Sequence, residues 1–172
     1  MSISKQYIDK KANDAATSPK NNIPIPTEEQ KQNGNYKKGR VKLHGFNISI
    51  ENPKGSIRSG TDSNGKKWSV KIKNHYGYIN GNNIGKDGDP IDVFLGPDPN
   101  SENIFIVNQK NNEDKFDEHK ILIGFDTFKD AINGYLDNYE KGWDMIMSVH
   151  QTSIDKFKDW MKSGKLKTPY KD

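Results

Sequence analysis

From Val41 onward the chain is written in short apolar alternations cut by Gly, Pro and Asn, and that pattern restricts it to a sheet-based fold. Val41, Leu43, Phe46, Ile48 and Ile50 alternate with polar residues, as strands with one buried face do. Segments 68–72, 91–95, 104–107, 121–125 and 145–149 continue as strand candidates. Two segments carry helical spacing instead. Phe128, Ala131, Ile132, Tyr135, Leu136 and Tyr139 follow the i, i+3, i+4 rhythm, and Thr127-Phe128-Lys129-Asp130 reads as a capping box. A second helix over about 154–162 is capped by Ser153 and turns Ile154, Phe157, Trp160 and Met161 inward. The expectation is an α+β domain: a small closed or highly curved antiparallel β-barrel flanked by two main helices.

Residues 1–39 lack this pattern. They are rich in Lys, Asn, Gln and Ser, and cannot offset the entropy of their own ordering, so a mobile basic tail is expected before a domain over 40–172. Within it, Ile23-Pro24-Ile25-Pro26 reads as an extended piece. The first 40 residues hold eight basic and four acidic side chains, which is the whole net charge of +4. The rest is balanced, so the basic character argues against a nucleic-acid face on the folded domain. Zero cysteines exclude disulfides, thiolate metal sites and cysteine nucleophiles. No apolar run approaches the ~20 residues that span a bilayer, and no apolar leader opens the chain. A cytoplasmic protein without a membrane partner is expected, and an oligomer is left open.

The chemistry concentrates in Asp87-Gly88-Asp89-Pro90-Ile91-Asp92. Three carboxylates that close repel one another unless cations compensate. Magnesium, with manganese as the alternative, takes oxygen ligands from a few carboxylates, water and substrate phosphate. Gly88 lets the backbone turn and Pro90 stiffens it. A solvated acidic turn is the bland reading of the triplet. The glycine and glutamate positions of an EF-hand calcium loop are missing.

Tyr76-Gly77-Tyr78-Ile79 precedes the acidic run, and the extended fragment Asp87-Gly88-Asp89-Pro90-Ile91-Asp92-Val93 resembles the signature of the soluble family I inorganic pyrophosphatases. The wider pattern is similar to a pyrophosphatase-like domain of bacteriophage and prophage proteins. It rests on segments 39–45, 50–56, 75–79, 116–120 and 157–160, and spans roughly residues 20–170. The resemblance implies that family's OB-like barrel and magnesium-dependent hydrolysis of pyrophosphate to two phosphates by metal-activated water. It also implies host bacterial cytoplasm for a phage-encoded chain, with virion association as the alternative.

Residue by residue, the resemblance implies that Asp87 and Asp92 bind metal and that Asp89 is the general base. Glu51 matches an acidic residue assisting a further metal. Lys120 matches the lysine beside the later acidic ligands, taken jointly as Asp117 and Glu118. Glu118 and Lys120 share a strand face, and Asp117 faces the other way unless a bulge intervenes. Arg58 replaces a phosphate-contacting lysine, Lys71 stands for an arginine, Tyr76 matches a tyrosine near substrate, and Tyr139 with Lys141 echoes a late Tyr-Lys pair. Gly60 and Thr61 occupy the place of a further acidic residue. Each has a plainer reading: Tyr76, Tyr78 and Tyr139 as core aromatics, Arg58, Lys71 and Lys141 as solvated charges, His75 and His119 as structural hydrogen-bonders. Two other functions remain open, hydrolysis of a nucleotide or signalling phosphoanhydride and a non-catalytic phage structural or binding module.

Overall fold

The structure is a computed structural model describing residues 2–81 and 84–172. Its helices are α1 (Lys5–Ala12), α2 (Glu28–Asn33), α3 (Phe128–Leu136) and α4 (Ile154–Met161). Its strands are β1 (Gly39–Leu43), β2 (Phe46–Asn52), β3 (Ile57–Thr61), β4 (Lys67–Lys71), β5 (His75–Ile79), β6 (Asp92–Leu95), β7 (Asn103–Lys110), β8 (Phe116–Ile123) and β9 (Ile146–Ser153). The fold is α+β.

Seven strands form one sheet in the order β1-β2-β5-β6-β8-β7-β9, and β3 pairs with β4 in a separate hairpin. The expected closed or highly curved antiparallel barrel is corrected on two points, closure and strand direction. Among the described residues the sheet has two ends, β1 and β9, that do not pair, and β6 runs parallel to β8. The parallel pair follows from the long connection that carries β7 outside β8 before the chain returns.

Alternation along the central strands gives the sheet two faces. Val93 and Leu95 of β6, with Ile121 and Ile123 of β8, pack on one side under Ile8 and Ala12 of α1 and Phe157 and Met161 of α4. Phe94 and Leu122 point the other way, joining Tyr76, Phe105, Ala131 and Tyr135 beneath α3. Burial of a side chain such as Phe94 stabilises the fold by about 2 kcal/mol. Both expected helices are present with their caps, Thr127 accepting from the Asp130 amide and Ser153 from that of Lys156. No helix among the described residues is long and apolar enough to cross a membrane.

The segment expected to be a mobile tail is instead folded onto the sheet. Ser4 caps α1, which buries Ile8 and Ala12. A Cβ on Gly39 would stand 2.6 Å from the Ala12 carbonyl oxygen, so the glycine at the start of β1 lets α1 lie against the strand. Asp9 meets His75 Nε2 at 2.7 Å, and the Ala16 amide donates to the Lys37 carbonyl. A polar composition concealed this docking, which a few small apolar residues and many specific hydrogen bonds achieve. β5 was also not foreseen as a strand, because Gly77 sits at its centre. That glycine is required by the fold: a Cβ there would lie 1.8 Å from the Ser49 carbonyl oxygen of β2.

Candidate active site

Strand register assembles the inner wall. Asp92 pairs with Tyr78 of β5 on one side and with Lys120 of β8 on the other. All three belong to the face that Phe94 and Leu122 share with α3: Asp92 and Lys120 sit two positions from those residues, and Tyr78 two from Tyr76, the partner of Phe94. The Lys120 ammonium donates to Asp92 Oδ2 at 2.6 Å, to the Tyr76 hydroxyl at 2.7 Å, and contacts Glu118. The ammonium therefore meets three polar side chains, two through hydrogen bonds and one through an ion pair.

Two bulges decide where the flanking acids go. Ile50 pairs with Gly77 and Asn52 with Tyr76, so Glu51 is an extra residue on β2. The bulge aims Glu51 into the cavity and takes its carbonyl off the ladder, where Thr17 Oγ1 donates to it at 2.5 Å. On β8, Gln109 pairs with Glu118 and Lys110 with Phe116, which leaves Asp117 as the extra residue. Here the bulge leaves Asp117 exposed and outside the cavity lining, while half-buried Glu118 lines it.

The β3–β4 hairpin brings in Arg58. Its guanidinium lies 4.2 Å from the Tyr76 ring centroid and 4.9 Å from that of Trp68, and Nη2 donates to the Tyr76 hydroxyl at 3.2 Å. Gly60 pairs with Trp68, and a Cβ on Gly60 would meet the indole at 2.7 Å. A side chain in that place would displace the ring beside Arg58. Lys71 is exposed on the outer side of the same hairpin, away from the cavity.

Asp87 and Asp89 sit on the turn before β6. The Asp89 amide donates to Asp87 Oδ1 at 3.0 Å, and Gly88 takes φ 82°, which favours glycine. Lys86 ties the turn to β8 by donating to the Phe116 carbonyl at 2.7 Å. Both carboxylates are exposed at the edge of a cavity of about 610 Å³ that Glu51, Asp92, Glu118 and Lys120 also line. Lys141 is exposed and does not line it. Tyr139 lies behind the wall, stacked on Trp143 at 4.4 Å and accepting from Gln109 Nε2 at 3.0 Å.

A family model described as Inorganic Pyrophosphatase matches residues 28–162, well over half of the chain. The chain belongs to the inorganic pyrophosphatase family. No match was found among curated proteins or among solved structures. The matched span begins inside the segment that composition alone set apart as a tail.

The electrostatics of this pyrophosphatase-family site are those of crowded, partly desolvated acids. Burial, and then repulsion from Asp92, raises the Glu51 carboxyl above its ordinary range. Burial also raises Glu118 against the pull of Lys120. Asp87 is raised by burial, with further repulsion from Asp89 and Asp92. Burial alone would lower Lys120, but Asp92, Tyr76 and Glu118 outweigh it and hold the ammonium well above its usual range. Arg58 is held charged in the same way by Tyr76, Tyr139, Asp92 and Glu118.

These acids suit a hard divalent cation. The donors are carboxylate oxygens, and burial followed by mutual repulsion makes three of them hold their protons more tightly than usual. Among the described residues, no three acidic or imidazole groups already stand close enough together to hold an ion. Glu51, Asp87, Asp92 and Glu118 are carboxylates that line the cavity and could approach an ion there. Sequence reasoning missed Trp68, whose signal was its place opposite Gly60, and the N-terminal lining residues Tyr36 and Lys38, for which no local signal existed.

Proposed function

We propose that this protein hydrolyses inorganic pyrophosphate to two phosphates in a magnesium-dependent reaction, with manganese as the alternative ion. The observation that carries the reading is the Lys120 ammonium, joined to Asp92, Glu118 and Tyr76 inside a cavity that Arg58, Asp87 and Asp89 also line. Membership of the inorganic pyrophosphatase family supports the same chemistry.

Asp89, exposed at the cavity edge, takes a proton from the attacking water. The water oxygen bonds to one phosphorus while the bond from that phosphorus to the bridging oxygen breaks, and the second phosphate leaves with the electron pair. Arg58 and Lys120 neutralise charge on the phosphoryl oxygens, and Tyr76 holds both cations in place through its hydroxyl. When bound by Asp87, Asp92, Glu51 and Glu118, the divalent ion lowers the pKa of the water beside it and offsets phosphate charge. Lys71, Lys141 and Asp117 have no part in these steps.

The cavity, at about 610 Å³, falls among those that hold drug-sized ligands, which supports a nucleotide phosphoanhydride as the second reading. Phosphate release should be measured from pyrophosphate and from nucleoside di- and triphosphates, with magnesium, manganese or chelator. Pyrophosphate is expected to be the preferred substrate, with activity lost in chelator. Preference for a nucleotide would overturn the first reading in favour of the second, and no release from any substrate with either ion would point to a binding module.

A further inference from the structure

The N-terminal segment does more than cover the sheet. It forms a wall of the cavity through Thr17, Lys31, Gly34, Tyr36 and Lys38 and contributes no carboxylate to it. The opposing wall and turn bring five, Glu51, Asp87, Asp89, Asp92 and Glu118, against Arg58 and Lys120. All the formal charge this segment adds to the site is therefore positive.

The wall is also pre-shaped. Thr27 and Gln30 close a reciprocal capping box on α2, and Gly34 ends the helix at φ 65°. The chain then returns so that Lys38 Nζ donates to the Gly34 carbonyl at 2.7 Å and to that of Tyr36 at 3.1 Å. The ammonium rests 3.8 Å from the centroid of the Tyr36 ring. An ammonium has three donors. Two are used within the loop, and the third is left for the cavity that the side chain lines. Glu51, the bulged acid of β2, lines the same cavity. The Lys38 ammonium is thus held by its own loop in a cavity that a candidate metal-binding carboxylate also lines.

We propose that the loop from Lys31 to Lys38 is a phosphoryl-binding wall of this site, and that Lys38 is a specificity-determining residue that donates to a phosphate oxygen of the substrate. The inference rests on the pyrophosphatase reading for its substrate class. It assigns the wall to an anionic phosphoryl group rather than to a sugar or base, because the wall presents cations to a site otherwise rich in carboxylates. Lys31 supports it at longer range, from an exposed pair with Glu28 at 3.5 Å.

The test compares wild type, Lys38→Gln, Lys38→Arg and Lys31→Gln in two assays. The first is steady-state hydrolysis of pyrophosphate with magnesium. The second is calorimetric binding of methylenediphosphonate with magnesium, which needs no turnover. Lys38→Gln is expected to raise KM, and to weaken analogue binding, by about tenfold or more, the size of one charge-assisted hydrogen bond. Its kcat should stay within about twofold, Lys38→Arg should recover most of the loss, and Lys31→Gln should change KM by about twofold. Unchanged KM and analogue affinity in Lys38→Gln would overturn the proposal. So would a fall in melting temperature without a change in affinity, which would leave Lys38 only closing its loop. A wild type that binds the analogue but releases no phosphate would overturn the hydrolytic reading while the variants still report on the wall. A wild type that does neither would overturn both.

Discussion

The two sides of the cavity are built differently. On the sheet side, Asp92, Glu118 and Lys120 are fixed by strand register, and Lys120 is only 3% exposed and meets Asp92, Tyr76 and Glu118. On the loop side, Asp87 and Asp89 are exposed on a glycine turn, and Lys38 is held by carbonyls of its own loop. A buried and paired array cannot rearrange without exposing unpaired charge, so it serves as the reference frame. The exposed array can move toward a cation and a substrate at little cost. Substitutions on the first side should therefore cost stability as well as chemistry, and those on the second chemistry alone.

The contrast breaks if the sides respond alike. Asp89→Asn, on the loop side, should lower kcat by about two to four orders of magnitude, the usual worth of a positioned base. Its unfolding free energy should stay within about 0.5 kcal/mol of wild type, as for other exposed sites. Full activity in the purified variant would remove Asp89 from its role. Lys120→Met, on the sheet side, should destabilise the protein by about 3–5 kcal/mol in chemical denaturation, because Asp92 and Glu118 lose their counter-ion in a partly buried place. A loss as small as that of Asp89→Asn would show that the inner wall is not the rigid one.

A third measurement sharpens the contrast through pH. Glu51 and Glu118 have raised folded pKa values, so the folded state keeps protons that the unfolded chain releases. Stability from these groups is present at low pH and falls as pH rises from their ordinary value near 4.5 through the raised one. His119, drawn down to about 4 by burial between Phe116 and Trp160, has the opposite slope and loses stability as pH falls below 6.5. The readout is therefore the gain in melting temperature on adding magnesium, in which the histidine contribution cancels. That gain should be larger near pH 7.5 than near pH 5; at a hundredfold excess over Kd it corresponds to about 2.7 kcal/mol of added stability. An equal gain at both pH values would mean that the ion binds away from these acids.

How far the site could be read from sequence depended on whether its parts were local. The acidic turn was legible because Asp87, Gly88, Asp89 and Asp92 are adjacent, and carboxylates that close need a cation whatever surrounds them. The shared face of Glu118 and Lys120 followed from strand alternation, and the buried Ala131 and Tyr135 of α3 and Phe157 and Met161 of α4 from helical spacing. Asp117 could not be resolved in the same way, since the bulge that turns it outward arises from pairing with β7, a separate strand. Lys71 and Arg58 looked alike as cations matched to phosphate-contacting positions. Only the packing of Trp68 and Tyr76 around one of them distinguishes the two.

What the sequence determined by itself is therefore the periodic and the contiguous: an α+β class, two capped helices, most strands, and a carboxylate turn. Tertiary structure decided the rest. It left the sheet open, used Glu51 as a bulge, and folded a polar N-terminal segment into the cavity wall. The physical reason is that periodicity reports which face of an element is buried, whereas bulges, hairpin packing and the docking of a polar strap depend on hydrogen bonds between residues far apart in the chain. Thr17 with Glu51 and Asp9 with His75 are such pairs, and nothing in their local sequence announces the partner.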